Sequence, residues 1–119
     1  MPMLASPRAA GRREDPVALA SLCKTIREHL QVRRSSLAAE IRSYPTPIPR
    51  CDAQFNHLHE QQIRLARELE RVGDAETRGR AQAIEAIERF IASAPYSDDA
   101  AEDEFRARAK REFAELRSR

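Results

Sequence analysis

The chain has 119 residues and a formal net charge of +2, with 34% charged residues, 5% aromatic residues and no Trp. With only three Gly and few β-branched residues, it lacks the Val/Ile-rich runs and turn glycines of a doubly wound or sandwich fold. Its Ala/Glu/Leu/Arg bias is that of long helices and coiled coils, and no apolar run approaches the ~18 residues of a membrane span.

Positive charge is almost all Arg, with Lys only at Lys24 and Lys110. Acids accompany the arginines nearly throughout, which argues against a dedicated polyanion binder. Large apolar side chains are thin for a core of this size, so pairing of protomers is expected, most simply as a homodimer. A cytoplasmic protein with no membrane partner and no cofactor is the expectation.

The chain opens with "MPMLASPRAAGRR", which lacks acids and carries Arg8, Arg12 and Arg13. Pro2, Pro7 and Gly11 argue against an amphipathic targeting sequence, so residues 1–14 are expected to form a disordered tail ahead of a single helical domain over 15–119. Helix one is expected over about 16–44, with Asp15 as N-cap and Pro16 in the first turn. Its apolar seam is Leu19, Leu22/Cys23, Ile26, Leu30, Leu37, Ile41 and Tyr44. Pro45 ends it, and Pro45, Pro47 and Pro49 make an extended connector.

Helix two is expected over about 52–72, capped by Asp52, with the seam Phe55, Leu58, Leu65, Leu69 and Val72. Gly73 reads as its C-terminal cap and Asp74 as the next N-cap, although one helix running through Gly73 and Gly79 also fits the spacing. Helix three follows over about 75–94, with Ile84, Ile87 and Ile91 on one face and Pro95 as its stop. Helix four, about 98–117, opens with "SDDAAEDE" and continues into "RARAKR", an order that suits the helix dipole. Glu102 and Arg106 form an i,i+4 pair, and Phe105, Ala109, Phe113 and Leu116 form a narrow apolar face.

The expected fold is therefore all-α: an antiparallel helical hairpin extended to a three- or four-helix bundle with coiled-coil-like packing. Folding helices one and two about the connector matches their seams, with Ile41 opposite Phe55 and Leu37 opposite Leu58. The same register puts Arg33 opposite Gln62, so Arg33 and Gln62 are candidates for a polar layer that sets register. It also separates Cys23 from Cys51 by about 30 Å, far beyond the ~7 Å of a disulfide.

No catalytic constellation or metal motif emerges. His57 and His59 are two residues apart and so about 200° apart round a helix, a poor metal pair. Cys51 precedes a helix start beside Arg50, a setting that activates thiols, but Asp52 opposes it. A thiol or metal protein using Cys51 and His59 is therefore the weakest reading. A nucleic-acid binder would use the basic face of helix one: Lys24, Arg27, Arg33, Arg34 and Arg42. The favoured reading is a non-catalytic interaction or regulatory module with a protein partner. Its candidate surface is the uncharged patch in "NHLHEQQ" and its surroundings: Ile48, Asn56, His57, Glu60, Gln61 and Arg64. Asn and His are indifferent helix formers, so helix propensity does not account for them.

Overall fold

The computed structural model describes residues 7–45 and 53–118, and every regular element among them is helical. The helices are α1 (Pro7–Ser43), α2 (Ala53–Arg78), α3 (Arg80–Ala92) and α4 (Ala100–Arg117). α1 and α2 form the hairpin, and α3 and α4 pack against one end of it, so the molecule is an all-α helical bundle. α1 begins at Pro7, ahead of the expected start at Pro16; residues 1–6 lie outside the described residues.

α1 stops at Ser43, as the approach of Pro45 requires, and the Tyr44 and Phe55 rings meet across the hairpin at 5.4 Å. Ile48 and Cys51 in the connector lie outside the described residues. The buried core runs through Leu19, Leu22, Cys23, Ile26 and Leu30 of α1, Leu58, Leu65 and Val72 of α2, and Ala83, Ala86, Ile87 and Phe90 of α3. The inner face of α3 is thus turned from the expected Ile84/Ile87/Ile91 stripe, leaving Ile84 and Ile91 half-buried. Small Ala83 and Ala86 let α3 come close to α1, where the Cys23 thiol meets the Ala83 carbonyl at 3.9 Å. Cys23 is a free, buried thiol with its pKa pushed up to about 11 by burial and by Glu76, which makes it inert packing.

The expected break at Gly73-Asp74 is corrected. α2 continues through Gly73 to Arg78, and the chain turns at Gly79, whose φ is +104°. Val72 and Ala75 are both buried, so core contacts on either side of Gly73 hold the helix across it. Gly79 adopts a conformation that L side chains rarely enter, which makes it the true punctuation between α2 and α3.

α4 docks on the bundle. Ala109 and Leu116 are buried, and Phe105 and Phe113 pack against the core half-covered. It runs antiparallel to α1: its start meets Arg33, and Leu116 near its end lies beside Ala18 and Leu22.

The two glycines should respond oppositely to alanine. Nothing lies within 4 Å of a Cβ built at Gly73, so Gly73→Ala should stabilise the fold by up to about 1 kcal/mol. Gly79→Ala should destabilise it by about 1–2 kcal/mol through its positive φ. Urea unfolding of the two variants checks both signs.

Candidate functional site

The most constrained chemistry in the molecule surrounds Glu102, which is fully buried three residues past the N-cap of α4. Its Oε1 accepts hydrogen bonds from His29 Nε2 at 2.8 Å and Arg33 Nε at 3.0 Å. Its Oε2 accepts from Arg106 Nε at 2.8 Å and from the Tyr96 backbone N–H at 3.2 Å. Desolvating a carboxylate costs several kcal/mol. Two guanidinium donors, two further N–H donors and the positive end of the α4 dipole offset that cost. Burial works to raise the Glu102 pKa, but the bonds from Arg106, Tyr96 and His29 outweigh it and hold the group below its ordinary 4.5.

Each partner of Glu102 is fixed from another direction. His29 stacks flat on Phe105, with centroids 3.9 Å apart and planes within 4°, and meets Phe90 edge-on. Burial lowers the His29 pKa below its ordinary 6.5, against the pull of Glu102. Since a carboxylate only accepts, the neutral ring carries its proton on Nε2. Arg33 also grips Asp99 with two bonds, Nη1 to Oδ2 at 3.2 Å and Nη2 to Oδ1 at 3.0 Å. Asp99 is the N-cap of α4 and accepts from the Glu102 backbone N–H at 2.8 Å; its pKa is held down to about 2, chiefly by Arg33.

Arg106 reaches the other way. It donates to the Phe90, Ser93 and Ala94 carbonyls at 2.8, 2.9 and 3.1 Å, which closes the C-terminal end of α3. Its guanidinium also lies 4.3 Å from the Phe90 ring centroid.

A second buried carboxylate, Glu68 of α2, secures the connector between α3 and α4. The Tyr96 hydroxyl donates to Glu68 Oε1 at 2.6 Å, and burial followed by that bond pushes the phenol pKa up. Tyr96 therefore ties α2 to α4, through its side chain on Glu68 and its backbone on Glu102. Arg64 covers the Tyr96 ring at 4.1 Å and donates to Gln61 at 3.1 Å and to the Ala94 carbonyl.

These contacts revise the candidate residues. Arg33 does form a polar layer, but with Asp99 and Glu102 rather than with Gln62, because α4 presents ionised carboxylates where helix two offers a neutral amide. Gln62 is half-buried. Gln61 and Arg64 face the α3–α4 connector and do not belong to a free outer face. Asn56, His57 and Glu60 are exposed. His59 is also exposed and meets the Phe55 ring edge-on at 4.5 Å. Among the described residues no group of three His, Cys, Asp or Glu side chains is placed to hold a metal ion.

An open groove of about 640 Å³ lies where the α3–α4 connector meets the hairpin. Leu37, Leu58 and Leu65 make its apolar floor, Tyr96 one wall, and Glu40, His57, Asp98 and Asp99 its polar rim. The meeting of Leu37 and Leu58 here is what the hairpin register calls for.

Compared with known protein families, curated proteins and solved structures, the chain matches none. No described helix is long and apolar enough to cross a membrane.

Removing the central carboxylate should be costly, since it leaves its guanidinium partners facing a buried void. Glu102→Ala should lose about 3 kcal/mol in urea unfolding. The acid response follows from the pKa directions. Folding favours neutral His29, so that contribution is complete above 6.5 and is lost as pH falls from there towards the folded-state value. Folding favours ionised Glu102 and Asp99, so theirs is lost as pH falls further, below 4.5 and 3.8. Unfolding midpoints across pH should show both losses, and His29→Gln should abolish only the first.

Proposed function

We propose that this chain is a small, non-catalytic helical interaction module that associates with itself, and that the hairpin beyond Arg33 is its binding end. One observation carries the reading. Beneath α3 and α4, Leu19, Leu22, Cys23, Ile26 and Leu30 are at most 3% exposed. Beyond Arg33, where α4 begins, Leu37 and Ile41 of the α1 seam are only half-covered. A two-helix arm leaves one side of its apolar seam to be covered by something else.

The shape supports this. The radius of gyration is 18.1 Å and the extents are 71 × 27 × 20 Å. A compact chain of this length would have a radius of gyration of about 13–14 Å. An elongated head and arm buries less apolar surface per residue, and pairing supplies the deficit. The buried polar cluster supports a mechanical role rather than a chemical one, because both oxygens of Glu102 are saturated by protein donors. A nucleic-acid face on α1 is weakened because two of its five cations turn inward: Arg27 to Glu76 at 2.8 Å and Arg33 to α4.

Sedimentation equilibrium over a wide concentration range tests the proposal. The expected result is a mass above the 13.5 kDa of one chain. Ile41→Asp, on the half-covered arm, should weaken association by at least tenfold while leaving the far-ultraviolet spectrum unchanged. A single-chain mass at every concentration contradicts the proposal.

A further inference from the structure

We propose that the outer trough between α2 and α3 binds a small organic phosphate, held by Arg64, Arg67 and Arg71 of α2 with Arg89 of α3 opposite. The site is separate from the arm and does not depend on self-association.

The arrangement starts in the sequence. Arg64, Arg67 and Arg71 are spaced i, i+3 and i+7, which puts them on one face of α2. Like charges three and four residues apart repel and weaken a helix, so helix stability does not account for the stripe. Acids stand beside these arginines along the chain, but folding takes them elsewhere. Glu68 is 4% exposed and accepts from the Tyr96 hydroxyl, and Glu70 does not line the trough. The lining therefore sets four guanidinium groups against the carboxylates of Glu60 and Glu68, an excess of two cations.

Each guanidinium keeps donors for a ligand. Arg64 is already held in place, but by neutral groups: the Tyr96 ring, the Gln61 amide oxygen and the Ala94 carbonyl. It has N–H donors to spare. Arg67 is exposed and forms neither a hydrogen bond nor an ion pair among the described residues. Arg71 sits 3.6 Å from Glu68, too far for a hydrogen bond. Arg89 pairs with Glu85 at 3.3 Å, but both side chains are more than half exposed, and such a pair holds weakly.

The ligand class follows from charge, size and one apolar residue. A phosphate monoester carries about two negative charges at pH 7 and strong acceptor oxygens, which matches the excess in the lining. The trough encloses about 600 Å³, the size of a small-molecule site. Ile63, 54% exposed, stands in its wall and offers apolar contact to the organic part of the ligand. Beyond Arg71 the groove carries Asp74 and Glu85 against Arg78, so the cationic stretch is short and does not suit a long polyanion.

Nuclear magnetic resonance titration of the full chain with phenyl phosphate at low salt tests the site. The expected result is saturable shifts at the Arg64, Arg67, Arg71 and Arg89 side-chain N–H groups and at the Ile63 methyls. Inorganic phosphate should bind more weakly and leave the Ile63 methyls unmoved. Arg67→Ala removes a side chain without polar partners, so it should keep the native melting temperature. It should weaken phenyl phosphate binding about tenfold, the loss of one charge-assisted hydrogen bond. Lys110→Ala, exposed on α4, should bind as the native chain does. Equal affinity in the native and Arg67→Ala chains, or unsaturable shifts spread over Lys24 and Lys110, overturns the site. Tighter binding of a short DNA strand or a phosphoserine peptide than of phenyl phosphate overturns the small-ligand assignment.

Discussion

A carboxylate placed without an exposed oxygen at the start of a helix needs every lone pair answered, and Glu102 has its four donors supplied by three parts of the chain. α1 sends His29 and Arg33, the connector sends the Tyr96 backbone, and α4 itself sends Arg106. The same Arg33 holds the α4 N-cap, and the same Arg106 closes the end of α3. Buried charge clusters of this kind are weak sources of net stability, since a well-packed apolar replacement often does as well. Their strength is geometric. An apolar contact tolerates sliding, whereas four donors converging on two oxygens define one position of α4 along α1 and one path for the connector.

That constraint divides the molecule. On one side of Arg33 the hairpin is roofed by α3 and α4, and its seam is dry. On the other side the roof stops, the groove opens, and on the α1 seam Leu37 and Ile41 are only half-covered, while Leu58 of α2 stays buried. The stop is sharp because the α4 N-cap is tied to Arg33 and the end of α3 is tied to Arg106, so neither helix can extend over the arm. The proposed association uses the space this leaves.

Much of the fold was legible in the sequence. The stop of α1 before Pro45, the alternating seams of α1 and α2 and the charge order of α4 each follow from local rules that the structure obeys. Two kinds of feature were not legible. At Gly73 a helix-breaking signal lost to burial on either side, by Val72 and Ala75, and the weaker signal at Gly79 won through backbone conformation. The polar cluster was missed because its members lie on three elements. Arg33 stood out as a charge on an apolar seam, but pairing arithmetic within one hairpin offered only Gln62 as its partner. The missing signal was in α4: the stripe Leu116, Phe113, Ala109, Phe105 leads back by helical steps to Glu102, a second charge on an apolar seam and of the opposite sign. Two such charges on different helices call for each other. Glu68, between Leu65 and Val72, follows the same pattern, and its partner was a tyrosine in a loop.

Glu102 places α4 and the connector on a hairpin that does not depend on them for its own helicity. Amide hydrogen exchange on Glu102→Gln, which keeps the shape and removes the charge, tests it directly. Protection should collapse across the connector and α4, with the end of α3 following, while the amides from Leu19 to Leu30 and from Leu58 to Val72 keep most of theirs. Uniform loss of protection over all four helices, or none in α4, would contradict it.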